Sequence, residues 1–337
     1  MQPELQSKQA EDDRTINLGV IGCGKHCVHS HLTKMGEEKS VSLAAVFDPS
    51  SASVQDLSRF SLAPKKAFAS EEELLLSSAE AVFVMSPDEF HADSLARAVR
   101  AHKHVFVEKP LATDARQLET VIEALRFAND HNLIVSSCHP RRFDPPFTWL
   151  KVNLAQLTQD LGAVSHFEFD FSYHKPSKDW KHHRGLLLDH INHEIDLVHW
   201  YFGHAPFTAW KLADGPTHYH VAGVRDDGVH FSFNGSRQLE SRIYREFMRV
   251  RYERGTLTMD TNQGEVTIHN HDSGKRFNFS IQGIDYDKRF KLVNENFIQA
   301  IQGRVDNYLT LQDLYVNTAL SVKLTEENMW RYGGETI

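Results

Sequence analysis

The sequence predicts an α/β protein in two parts. A parallel sheet wound with helices comes first, and an α/β region with a large, mostly antiparallel open sheet follows. Three observations carry this. Between residues 15 and 137, short apolar runs alternate with longer amphipathic stretches, the pattern of strands joined by crossover helices. Those runs are nearly continuous in apolar residues, as strands buried on both faces require. Beyond Pro145-Pro146 the texture changes to long alternating runs broken by turn residues, the pattern of antiparallel pairing.

In order, the first part offers strands at Ile16–Ile21, Ser40–Phe47, Ala79–Met85, His104–Glu108 and Leu133–Ser137. Helices fit Ser70–Leu76, His91–Ala101 and Asp114–His131. In the second part Phe147–Leu161 reads as a helix. Strand runs follow at Ala163–Tyr173, Phe207–Ala213, His218–Phe233, Gln238–Glu253, Thr256–Met259 and Val266–His269. Turn signals stand at Asp226-Asp227-Gly228, Asn234-Gly235 and Asn262-Gln263-Gly264. Two helices, Asp285–Ile301 and Leu311–Trp330, close the chain. This divides it into a flexible polar tail (1–14), a first domain (15–140) and a second (141–337).

Composition narrows the function. The 337 residues carry 37 Lys+Arg against 45 Asp+Glu, a net charge of −8, with no basic excess to hold nucleic acid. No apolar run approaches the roughly 20 residues of a membrane-spanning helix, so no membrane partner is expected. Three cysteines, Cys23, Cys27 and Cys138, make no disulfide framework, and the polar N-terminus lacks a signal-peptide core. A cytoplasmic protein is expected.

Gly22-Cys23-Gly24-Lys25-His26-Cys27 follows the first strand and opens a helix. Glycines there let the backbone turn tightly and approach a pyrophosphate seated on the helix N-terminus. Asp48, at the end of the second strand, is placed to accept hydrogen bonds from an adenosine ribose. No arginine follows it to receive a 2′-phosphate, so NAD is expected over NADP. The first domain is thus of Rossmann type, with Cys27 replacing the third glycine of the fingerprint. Cys23, His26, Cys27, His29 and His31 also invite a zinc reading, but their spacing matches no ordinary finger or ribbon. No metal is expected.

Lys109 ends the fourth strand, at the carboxyl edge where open α/β sheets bind ligands, and Pro110 stops the strand behind it. Here the chain resembles the glucose–fructose oxidoreductase / inositol dehydrogenase / rhizopine-catabolism (Gfo/Idh/MocA) family, over roughly residues 15–330. Gly22-Cys23-Gly24 is similar to its dinucleotide loop. Ser86-Pro87-Asp88-Glu89-Phe90-His91 resembles its Thr-Pro-Asn-x-x-His segment, with Asp88 for Asn. Lys103–Ala112, containing Glu108-Lys109-Pro110, is close to its most specific signature. Arg141-Arg142-Phe143-Asp144-Pro145 and Asp189-x-x-x-His193-x-x-Asp196 resemble later motifs. The resemblance implies a nicotinamide cofactor touching Gly22, Gly24, Lys25, His26, Asp48, Ser86, Pro87, His91, Glu108 and Lys109. It also implies homodimers or homotetramers built through the second sheet, and a Lys109–Pro110 peptide that is often cis.

Asp189, His193, Asp196 and Trp200 fall on one stripe of a helix over Leu188–Phe202. Spacing alone leaves a solvated face as open as a catalytic one. The resemblance points to Lys109, Asp189 and His193 as the catalytic set and leaves Asp196 as a structural partner. Oxidation of a secondary alcohol needs a group to take the hydroxyl proton, and imidazole suits that near neutral pH. Lys109 suits a developing alkoxide. Arg142, and Trp180 and Arg184 in the donor-rich loop 173–185, are candidate contacts for a sugar-like substrate. Arg184-Gly185 stands where many relatives have a glycine-rich run. The expected activity is an NAD(P)-dependent dehydrogenase or reductase of a sugar, cyclitol or sugar derivative. The alternatives are an NAD-dependent glycosidase of the same family and a non-catalytic dinucleotide-binding regulator.

Overall fold

The structure is a computed structural model that describes residues 14–35, 40–60, 63–173, 185–237 and 245–337. The 1–13 part of the expected tail, Trp180 and Arg184 lie outside the described residues. Six parallel strands form the first sheet: β1 (Ile16–Ile21), β2 (Val41–Phe47), β3 (Lys66–Ala67), β4 (Ala81–Val84), β5 (His104–Val107) and β6 (Val135–Ser137). Their order is β3-β2-β1-β4-β5-β6. That order reverses beside β1, and the crevice at the strand ends there is where such sheets bind ligands. The sequence reading missed β3, a two-residue strand whose exposed Lys66 and Ala67 carry no apolar signal.

Side-chain caps fix the crossover helices. Ser70 accepts from Glu73 N at the start of Glu71–Leu75, and Asp114 accepts from Gln117 N at the start of Ala115–Asp130. Each satisfies an amide that the first helical turn leaves unpaired.

The second sheet has nine strands: β7 (Val164–Ser172), β8 (Phe207–Asp214), β9 (His218–Arg225), β10 (His230–Ser236), β11 (Arg245–Tyr252), β12 (Gly255–Asp260), β13 (Glu265–Asn270), β14 (Arg276–Ser280) and β15 (Met329–Tyr332). They run in the order β14-β13-β12-β11-β7-β10-β9-β8-β15. Within this sheet only β7 and β10 pair in parallel among the described residues. On β7, β9, β10, β11 and β12, buried residues alternate with more exposed ones, so one face packs inward.

Asn234-Gly235 is not the expected turn. It lies inside β10, where Gly235 faces Tyr219 of β9. A Cβ there would come within 2.1 Å of the Tyr219 ring, so the glycine makes room for an aromatic across the strand. Gly223 does the same for Phe231. The last helix spans Leu311–Glu326 and stops before Trp330, because Met329–Tyr332 pairs with β8. The exposed strand β14 also escaped the reading, since none of its residues is buried.

Two helices from the second part complete the first, and a third covers the second sheet. Val293, Phe297, Ile298 and Ile301 of the helix Tyr286–Ile301 share a core with Ile16, Leu18, Val20, Phe83 and Phe106. Leu314, Ala319 and Val322 of Leu311–Glu326 join a second core with Val82, Val105 and Val121. The helix Gly185–Phe202 lies beneath the nine-stranded sheet, with Ile191, Ile195 and Val198 packed against Phe169, Phe231 and Phe233.

Candidate functional site

A cavity of about 570 Å³ opens at the carboxyl ends of β1, β2 and β4. Gly22 has φ +89°, and a Cβ on it would stand 2.6 Å from Ser86 N, so only glycine fits between the β1 and β4 ends. Gly24 has no atom within 4 Å of where its Cβ would be, which keeps that wall of the cavity clear. Asp48 Oδ2 accepts from Cys23 N at 2.7 Å, and its Oδ1 from Ser50 N at 2.8 Å. The carboxylate thus braces the glycine loop while lining the cavity. Lys25, His26, Ser86, Pro87, Glu108 and Lys109 line it too. Ser86 Oγ is buried with no hydrogen-bond partner among the described residues. His91 sits at the rim with both ring nitrogens on backbone carbonyls, Ser86 O at 2.7 Å and Pro110 O at 2.8 Å.

The helix after the glycine loop begins with a π turn, Cys27–Leu32. Cys27 packs fully buried where the third glycine was expected. Burial and the nearby Asp48 push the Cys23 thiol up to about 12. Burial likewise raises Cys27 and Cys138, so all three thiols stay protonated near neutral pH.

A second cavity, about 230 Å³, lies against the first and shares His26, Glu108 and Lys109 with it. The Lys109–Pro110 peptide is cis. Lys109 Nζ donates to Asp189 Oδ1 at 2.7 Å and to Asp189 O at 3.1 Å. Burial alone would lower the ammonium pKa, but Asp189 outweighs it and raises it above the ordinary lysine value. Asp189 also takes the Arg237 guanidinium on its other oxygen. Burial would raise the Asp189 carboxyl, yet Lys109 and Arg237 hold it well below the usual range.

His193 lines the same cavity one helical turn beyond Asp189. Burial, then the Arg141, His139 and Lys109 charges, push its imidazole well below its ordinary value. It is therefore neutral at pH 7, beside a lysine that is fully charged. The His139 and His190 rings stand edge-on to it, at 5.2 and 5.4 Å between centroids.

The rest of the wall is a buried lattice of charge. Arg141 makes two bonds to Glu246, at 3.0 and 3.2 Å, and lies 3.5 Å from Glu194. His190 stacks on Phe171 at 3.6 Å, with Nδ1 2.8 Å from Glu194. Arg289 grips Asp144. Burial would raise Glu246, but Arg141 holds it below the carboxylate range.

The structure brings Lys109, Asp189 and His193 to one place, and it puts the ten residues expected at the dinucleotide on or at the edge of the first cavity. Arg142 is elsewhere. Its guanidinium is buried in a clamp on Asp196, at 2.7 and 2.9 Å, and lies 3.2 Å from Asp313. Its neighbour Arg141 lines the cavity instead. A paired Arg-Arg gives no phase from sequence alone, so the reading was off by one residue. Asp196 is the structural partner the resemblance implied, held by Arg142 and by Asn317 Nδ2 at 2.9 Å. Glu246, Arg289 and Tyr286 reach the cavity from far along the chain, and no local spacing announced them. Arg97 was missed as well. It lines the first cavity from the helix His91–Arg100, bound to Glu71 by two bonds at 2.9 and 3.0 Å.

These features define a class: an α/β scaffold whose crevice at the carboxyl ends of a parallel sheet opens onto a second, charged cavity. Residues 16–137 match the model of an oxidoreductase family with NAD-binding Rossmann fold, Gfo/Idh/MocA. The chain is 27% identical over 194 residues to inositol 2-dehydrogenase of Salmonella typhimurium, covering 55% of this chain and 54% of that protein. It is 26% identical over 190 residues to myo-inositol 2-dehydrogenase of Thermotoga maritima, covering 56% and 55%. The chain thus spans about half the length of these relatives in sequence. In fold the likeness runs further. Scyllo-inositol dehydrogenase from Lactobacillus casei superposes with a TM-score of 0.77 at 20% identity, over 95% of this chain and 99% of that one. Levoglucosan dehydrogenase in complex with NADH gives 0.80 at 16% identity, over 96% and 100%.

Proposed function

We propose that the chain is an NAD-dependent oxidoreductase acting on a secondary alcohol or ketone of a sugar, cyclitol or sugar derivative. The observation that carries this is the shared wall. His26, Glu108 and Lys109 border both cavities, with a charged lysine and a neutral imidazole side by side on the substrate side. Gly22, Gly24, Lys25, Asp48, Ser86 and Pro87 would hold the dinucleotide, and the open space at Gly24 and the unpaired Ser86 Oγ fit such a ligand. When bound, nicotinamide supplies the hydride chemistry.

The chain supplies proton handling and orientation. Neutral His193 accepts the hydroxyl proton in oxidation and returns it in reduction. Lys109 stays protonated and hydrogen-bonds the same oxygen, stabilising alkoxide charge as it develops. Asp189 holds Lys109 charged and aimed, and Arg237 keeps that carboxylate in place. Arg141, His190 and Arg289 offer donors and charge for a polyhydroxylated molecule. In this reading 15–140 forms the dinucleotide domain and 141–337 the substrate and oligomerisation domain, with a homodimer or homotetramer built through the nine-stranded sheet. The three free, buried cysteines support a cytoplasmic setting.

The test is NADH formation from NAD across a panel of inositols, monosaccharides and anhydrosugars, with His193→Asn in parallel. The wild type should reduce NAD stoichiometrically with one class of these. The variant should keep its fold and cofactor affinity, turn over about 100-fold more slowly or worse, and lose the acid limb of the pH–rate profile. A wild type that binds no NAD, or a variant with normal turnover and an unchanged profile, would overturn the reading.

A further inference from the structure

Dinucleotide binding and proton transfer leave His31 and the pairing around Glu108 without a task. Two imidazole nitrogens converge on one carboxylate oxygen: His26 Nε2 and His31 Nε2 stand 3.1 and 2.8 Å from Glu108 Oε1. The three donor atoms lie within 4.8 Å of one another. Local backbone geometry produces this. His26 and His31 are five residues apart, which on an α-helix of about 3.6 residues per turn would set them on different faces. The π turn Cys27–Leu32 follows the i→i+5 pattern and swings both rings to the same side. Their centroids are 5.5 Å apart, with the planes at 84°.

The outer nitrogens are also fixed. His31 Nδ1 lies 2.8 Å from Asn294 Oδ1, and His26 Nδ1 lies 3.1 Å from Ser30 Oγ. An amide oxygen only accepts, so His31 Nδ1 donates to Asn294 and the ring is fixed with Nε2 toward the carboxylate. Imidazoles held through their far nitrogens, with the near ones converging beside a carboxylate, are how proteins ligate metals.

We propose that His26, His31 and Glu108 bind one divalent transition-metal ion of the borderline class, Zn²⁺ or Co²⁺. The nitrogen–oxygen separations approach the roughly 3.3 Å expected between ligand atoms about 2.0–2.1 Å from a tetrahedral ion. His31 is fully buried and Glu108 nearly so, whereas the His26 side chain is 51% exposed and supplies the entry. The remaining coordination position faces the cavities that His26 and Glu108 border. This ligand set uses neither cysteine of the zinc pattern considered from sequence, nor His29, and it shares His26 and Glu108 with the residues expected at the dinucleotide, so metal binding is tested without nucleotide.

The test is a titration of chelator-dialysed protein with Co²⁺ in the absence of any nucleotide, read by visible d–d absorption and by competition with a chromophoric chelator. The wild type should take up one equivalent, and thermal unfolding should rise with Co²⁺, since an ion bound only by the folded state stabilises it. His26→Ala, at a half-exposed ring, keeps the fold and should weaken binding by at least about 100-fold. Ser30→Ala should weaken it by roughly 10-fold, as loss of an outer partner does. His29→Ala should leave it unchanged. Folded wild type that takes up no stoichiometric Co²⁺ would overturn the site, as would uptake that survives His26→Ala or disappears with His29→Ala.

Discussion

The two cavities are built from different materials. The larger one is shaped by backbone: a glycine that admits the β4 end, a glycine with open space beside it, and a carboxylate that braces the loop through its own amides. The smaller one is shaped by side chains that neutralise each other in pairs, Lys109 with Asp189, Arg141 with Glu246, and Arg289 with Asp144. The first depends on steric fit and the second on electrostatic balance. Mutations should therefore damage them in different currencies.

The sharpest separation comes from Lys109, which borders both. Lys109→Ala should lower turnover by about 10²–10⁴-fold while NAD affinity, read by fluorescence titration, stays near the wild-type value. A matching loss of NAD affinity would erase the distinction drawn here.

The next largest effect falls on stability. Arg141→Met removes one partner from a buried lattice and leaves Glu246 unpaired. Folding should weaken by about 3–5 kcal/mol in denaturant unfolding, the range for stranding a buried charge. A small loss would mean that the second cavity does not depend on charge balance.

Next comes a pH effect at Asp144. Burial pushes its carboxyl up to about 7, with Arg289 opposing and Glu246 adding to the rise. The folded state then holds a proton that the unfolded chain releases near pH 4. Stability should fall as pH rises from about 4 to about 7, and Asp144→Asn should flatten that slope in melting curves taken across the range. An unchanged slope would remove Asp144 from the balance.

The smallest change concerns the first cavity. NAD should bind more tightly than NADP, because Asp48 repels a 2′-phosphate and Glu71 occupies Arg97. Glu71→Gln frees Arg97 and should narrow the gap by about 0.2–1 kcal/mol, the worth of a part-exposed ion pair. Paired titrations with NADH and NADPH check both points.

The same difference explains what the sequence disclosed. The first cavity was legible because its parts are contiguous motifs at strand ends: the loop at Gly22, the carboxylate at Asp48, the segment at Ser86 and the strand end at Lys109. The stripe holding Asp189 and His193 was legible from helical period. The charge lattice was not. Glu246 arrives on β11 and Arg289 on a helix that packs under the other sheet, so only the fold unites them. Arg142 was misplaced because the choice between adjacent arginines depends on how a short 3₁₀ turn, Pro140–Phe143, is oriented. Asn234-Gly235 misled because the glycine answers a neighbouring ring rather than a bend.

The C-terminal helices carry a consequence for how this protein is made. Phe297 and Ile298 lie against the first parallel strands, Leu314 and Val322 complete the other core of that sheet, and Glu326 accepts from Ala115 N at 3.0 Å. A ribosome that has delivered only the first half has delivered a sheet with its apolar faces partly uncovered. The nucleotide-binding region cannot finish folding until almost the last residues emerge, so a nascent chain stalled or truncated before residue 290 will be a client for chaperones rather than a free-standing domain.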